Sequence, residues 1–268
     1  MCIRDSLEGE RTILDEASGL QAPALLLLND GDHTYAKVRF DETSLETIRT
    51  RLSAVPDELS RAVIWTSLWN LTRDGEWPVR SYLDTVLNHA PAESNPTLLT
   101  TAFANARYAI DHFVSKGVRE EIRADYAERL WEVLQQAPAG SDAQLTFARA
   151  AIQALAATPE ESGTQRLRAL YDGSLDGLAL DPDIRWASLR ALAARDAVST
   201  EELEAEKEHD NTLTGAAAYL GASHAFPSAE VKREVFDLVR TPGKYSNAEV
   251  DSLLAAFNAP RSGHLTED

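Results

Sequence analysis

Two rhythms of apolar and polar residues divide the chain. In the first, Leu25 to Leu28 form an unbroken apolar run, Asn29-Asp30-Gly31-Asp32 makes a turn, and Ala36, Val38 and Phe40 alternate with Tyr35, Lys37 and Arg39. A period of two on the far side of a turn predicts a β-hairpin. A lone hairpin is marginal in water, so these strands are expected to belong to a sheet whose other members lie upstream or are missing.

From Thr43 onward the period changes to that of a helix. Leu59, Val63, Ile64, Leu68 and Leu71 recur every three or four positions, and so do Leu98, Leu99, Ala102, Phe103, Ala106, Ile110, Phe113 and Val114. Val118, Ile122, Tyr126, Leu130 and Val133 repeat the stripe, followed by Leu145, Ala148, Ile152 and Leu155. Thr43 with Glu46, Ser141 with Gln144, Ser199 with Glu202 and Ser246 with Glu249 fit the capping box, in which hydroxyl and N3 side chain satisfy each other's free amides. Asn95-Pro96, Thr158-Pro159 and Asp181-Pro182 add an N-cap followed by proline, whose missing N–H costs nothing there.

Starts at Ser141 and Asp181 lie 40 residues apart, and those at Thr158 and Ser199 lie 41 apart. Two helices per ~40 residues is the period of HEAT or armadillo-like helix pairs, whose stacking buries faces that one pair could not bury alone. The expected fold is therefore mainly α, an α-solenoid of helix pairs preceded by a short β-hairpin. The repeat is one of length and pattern rather than residue identity, so an irregular helical array fits as well. The domain reading is 1–6 as a non-native leader (Met-Cys-Ile-Arg-Asp-Ser), 7–41 as terminal strands, and 42–268 as the helical domain. The loop from Asn258 to Gly263 is expected to lead toward a further element, so that the helical domain is expected to be truncated at its end.

Composition narrows the functional classes. The 268 residues are 44% hydrophobic, enough for a packed core, and apolar runs stay far below the ~20 residues of a membrane span. A formal charge of -17 repels phosphate backbones, which argues against nucleic acid as a partner and for a solvated acidic surface. The single cysteine, Cys2, excludes a disulfide framework and points to a reducing, cytoplasmic setting.

Few residue patterns in the chain carry chemistry. No His-Glu-x-x-His occurs, and His33, His89, His112, His209, His224 and His264 are scattered, so no helix presents two imidazoles one turn apart. Glu206 and His209 share a face at i and i+3, but a di-iron bundle needs a second copy and two further glutamates; a solvated, charged helix is the simpler reading. Gly-x-Ser-x-Gly is absent, and the 13 glycines form no phosphate loop. Trp65 and Trp69 at i and i+4, and Trp186, read as indoles filling space between helices. The residues thus nominate no catalytic or metal-ligating position and leave any substrate-binding residue unknown.

One segment, Ser60-Arg61-Ala62-Val63-Ile64-Trp65-Thr66-Ser67-Leu68-Trp69-Asn70-Leu71-Thr72-Arg73-Asp74-Gly75-Glu76, resembles the C-terminal region of actinobacterial aminopeptidase N. Leu27-Leu28-Asn29-Asp30 with Thr34 to Asp41 resembles that family's last β-sandwich strands, and Asp183-Ile184-Arg185-Trp186, Glu202-Leu203, Asp210-Asn211-Thr212 and Gly215 resemble its later helices. The resemblance runs in order over residues 20 to 260. It implies a zinc-dependent parent of the gluzincin class that releases N-terminal residues from peptides, with a helical domain that closes over an intramolecular catalytic domain and walls the substrate chamber. It further implies that the zinc helix, the glutamate ligand, the Gly-x-Met-x-Asn loop and the catalytic tyrosine precede residue 1, so that this chain binds no zinc and is inactive alone. The competing expectation is a free-standing HEAT-like scaffold for protein partners.

Overall fold

The computed structural model describes residues 9–159, 161–241 and 243–265, so the leader over 1–6 and its Cys2 lie outside the described residues. Twelve α-helices follow one another among these residues. They are α1 (Glu42–Arg51), α2 (Glu58–Arg73), α3 (Val79–His89), α4 (Pro96–Phe113), α5 (Lys116–Gln136), α6 (Asp142–Ala157), α7 (Glu161–Asp172), α8 (Pro182–Ala193), α9 (Thr200–His209), α10 (Leu213–Ser223), α11 (Ala229–Val239) and α12 (Asn247–Phe257).

Side-chain caps set most of the starts. Ser199 with Glu202 and Ser246 with Glu249 form complete capping boxes, and Asn95 and Asp181 accept first-turn amides ahead of their prolines. Ser141 caps α6 through the Gln144 amide, while the Gln144 side chain turns to the Gly140 N–H instead of closing the box. Two starts are corrected. Asp41, not Thr43, caps α1: its carboxylate accepts from both the Ser44 N–H and the Ser44 hydroxyl, and an ionised acceptor outcompetes a threonine. Thr158 closes α6 instead of opening α7, because its hydroxyl donates back to the Leu155 carbonyl at 2.9 Å.

The expected hairpin is also corrected. Asn29, Gly31 and Asp32 take positive φ, and Asp32 N–H donates to the Asn29 carbonyl, so the turn forms. No strand ladder follows it among the described residues. The two arms are bound to helices instead: Leu26 N–H donates to Ser44 Oγ at 2.9 Å, Thr47 Oγ1 donates to the Ala24 carbonyl at 2.7 Å, and Lys37 and Arg39 pair with Asp74 and Glu76 just beyond α2. An isolated two-stranded ladder gives too little to compete with these contacts. The alternation still selects a face, since Val38 is buried and Phe40 half-buried against the core while Tyr35 is fully exposed.

Packing proceeds along the chain. The even-numbered helices touch in unbroken succession from α2 to α12, each also packs on a sequence neighbour, and α1, α3 and α5 form a second succession. Alanines at the contacts let backbones approach: Ala106 and Ala109 of α4 and Ala148 and Ala151 of α6 are wholly buried. Gly221 serves α10 likewise, as an added Cβ would lie 3.2 Å from the Ser252 backbone of α12. The predicted stripes face this core except at Leu59, Phe113 and Val118, which are 47, 38 and 43% exposed.

Candidate functional site

Polar residues collect at two interhelical junctions. At the first, Arg61 of α2 lies over the α3–α4 connection, donating from Nε and Nη2 to both carboxylate oxygens of Glu93 at 3.0 and 2.9 Å. Its Nη1 donates to the Val55 and Pro56 carbonyls, and the Trp65 indole N–H reaches the same Glu93 at 3.4 Å. Burial raises the Glu93 pKa, but the guanidinium and the Asn95 amide outweigh it and hold the carboxyl below its ordinary value.

At the second junction, Arg185 of α8 grips both oxygens of Glu206 on α9 and stacks 4.7 Å over the Tyr171 ring, whose hydroxyl also donates to Glu206. Glu206 is 2% exposed, so its half of the solvated-helix reading is corrected: the carboxylate is a buried ion-pair partner, whereas His209 does face solvent. Burial works against its charge, Arg185 prevails, and the Glu206 pKa is lowered. One step on, the Trp186 indole donates to Asp210 at 2.8 Å, and Gly215 packs so closely that a Cβ would overlap the Asp210 carbonyl and carboxylate. Trp65 and Trp186 are thus the buried packing indoles expected. Trp69 is different, joining Tyr82, Tyr108 and Phe113 in a partly exposed aromatic group.

A groove of about 240 Å³ lies between α4 and α6 with α5 at its side. Phe103, Ile110 and Ala154 make it apolar, and Arg107, Arg123 and Arg149, one from each helix, line it. Sequence reading missed this group, because arginines on three separate helices carry no local motif.

Three of the histidines are engaged within the helical array. His89 is tied to Ser53 and to the Arg49 carbonyl, His112 lies against the Tyr108 ring at 4.2 Å, and His224 contacts the Leu220 carbonyl at 2.8 Å. Among the described residues no three His, Cys, Asp or Glu side chains converge on a point where an ion could sit. No described helix is long and apolar enough to cross a membrane.

Comparison with known proteins decides the family: residues 25–266 match the one described as the ERAP1-like C-terminal domain. The chain belongs to that family. It is also 37% identical to the Aminopeptidase N of Streptomyces lividans over 253 residues, covering 94% of this chain and 29% of that protein. The chain therefore spans under a third of the length of its relative, and the resemblance read from Ser60 to Glu76 and from Asp183 to Gly215 is borne out. Within this ERAP1-like C-terminal domain, Arg61, Arg185, Trp186, Asp210 and Gly215, all within the resembling stretches, belong to the two junctions. They hold helices together.

Proposed function

We propose that this chain is the helical C-terminal domain of a zinc-dependent aminopeptidase that releases N-terminal amino acids from peptides in the cytoplasm. In this reading the domain is an α-solenoid that walls and caps the peptide chamber, packs on an intramolecular catalytic domain and supplies no catalytic residue. The observation that carries it is the 37% identity to Aminopeptidase N across 94% of the chain. The succession α2, α4, α6, α8, α10, α12 supports the solenoid, since the tighter of two stacked layers lies on the inside of a curved array. A concave wall of this kind restricts which peptides enter and excludes bulk water, while zinc bound in the catalytic domain of such a parent would supply an activated water.

The test is a chimera in which residues 25–266 replace the matching segment of the Streptomyces lividans enzyme. Hydrolysis of amino-acid anilides with an unchanged metal requirement is expected, and the isolated chain is expected to bind no zinc and cleave nothing. A folded chimera without activity, or an isolated chain that hydrolyses anilides, overturns the reading.

A further inference from the structure

The arginine-lined groove lies between α4 and α6, two helices of the even-numbered layer, and its composition runs against the chain's formal charge of -17. Its cations differ in their commitments. Arg149 pairs with Asp181 and Asp183 at 3.1 and 3.4 Å, and Arg123 with Asp111 and Glu120 at 2.6 and 2.5 Å. Arg107 is exposed and makes no ion pair among the described residues. Two donors beside the groove are also unpaired: the Arg123 Nε and the Tyr126 hydroxyl are shut off from solvent and have no hydrogen-bond partner. A buried donor without a partner costs free energy that an acceptor would recover.

Apolar walls and spare guanidinium donors together select an amphiphilic anion. Phe103, Ile110 and Ala154 offer nothing to a bare inorganic ion but bury a hydrocarbon body, and a planar guanidinium fork matches a carboxylate. The volume of about 240 Å³ falls below the ~300 Å³ at which sites for drug-sized ligands begin, so the occupant is small. We propose that the groove between α4 and α6 binds a small organic carboxylate, its apolar body against Phe103, Ile110 and Ala154 and its charge on Arg107. Rotation of Arg123 away from Asp111 then brings its unpaired Nε to the ligand. This site stands on the groove alone and does not depend on the parent being a peptidase.

The probe is hexanoate, titrated into the full chain and followed by amide chemical shifts, with hexanamide and inorganic phosphate as parallel arms. Saturable shifts in α4, α5 and α6 with a Kd on the order of 1 mM are expected, with ~10-fold weaker binding of hexanamide and of phosphate. Arg107→Gln, at an exposed position that keeps the fold, is expected to weaken hexanoate ~10-fold, and Ala154→Leu to abolish it by filling the groove. Equal binding of hexanamide removes the role of charge, and equal binding of phosphate removes the role of the apolar walls; either overturns the proposal. So does the absence of saturable hexanoate shifts, or an Arg107→Gln chain that binds as tightly as the parent.

Discussion

The junctions at α2 and at α8 use the same parts in different arrangements. Each has an arginine gripping both oxygens of a buried glutamate, and a tryptophan on the same helix, four residues on at α2 and one residue on at α8, whose indole N–H is bonded to a carboxylate. At α2 everything converges on Glu93, and the Arg61 side chain is only 10% exposed. At α8 the work is divided: Glu206 takes Arg185 and Tyr171, Asp210 takes Trp186, and Arg185 remains 23% exposed. Convergence makes the first junction dependent on one acid, and division makes the second tolerant of a single loss.

Arg61→Ala is the strongest test of that difference, since it strands the Glu93 carboxylate with only an amide and a distant indole. A loss of about 3–5 kcal/mol in urea unfolding is expected. At the second junction Arg185→Ala leaves Glu206 its Tyr171 hydroxyl, and removing the 23% exposed Arg185 side chain opens a path for water to the carboxylate, so about 2–3 kcal/mol is expected. Equal losses at the two sites would end the distinction between them.

Lys232 sharpens the comparison as a buried cation with no ion pair among the described residues. It is 2% exposed, its Nζ donates to the Ala256 carbonyl at 2.6 Å, and burial depresses its pKa to about 8. A folded pKa below the unfolded value means the unfolded chain binds the proton first as pH falls, so stability drops between about pH 10.5 and 8. Lys232→Met is expected to raise stability at pH 7 by about 1–2 kcal/mol and to flatten that alkaline slope; a destabilised variant would show that the ammonium is favoured where it lies.

Smaller effects follow at the indoles. Trp186→Phe removes the sole indole donor to Asp210 and is expected to cost about 1–2 kcal/mol, against about 1 kcal/mol or less for Trp65→Phe, whose Glu93 keeps Arg61. Acid titration reads both junctions together. Glu93 and Glu206 have pKa values lowered from 4.5, so their contribution is full above that pH and disappears as pH falls through the lowered values. An Arg61→Ala chain is expected to lose part of that acid-side slope.

Which of these features the sequence discloses depends on their range. Caps at Asn95, Ser141, Asp181, Ser199 and Ser246 are legible because a hydroxyl, amide or carboxylate acts on an amide two or three residues away. Thr158 misled because the same hydroxyl that caps a start can close an end, and the choice lies in the packing of α6. The turn at Asn29 to Asp32 is local and was readable; whether its arms pair with each other or with α1 and α2 is a tertiary matter. The stripes found the core, but the ion pair of Glu206 with Arg185 and the convergence of Arg107, Arg123 and Arg149 join residues of different helices, where no spacing rule applies.

The neighbour-to-neighbour packing of the helices has a consequence for how such a domain can change over time. Because α10 touches α8, α9 and α12 and makes no comparable contact with α2 or α4, a helix pair can be gained or lost near one end without repacking the other. Length becomes adjustable in units of two helices, while the junctions at Arg61 and Arg185, each closed within a few neighbouring elements, carry their stability with them.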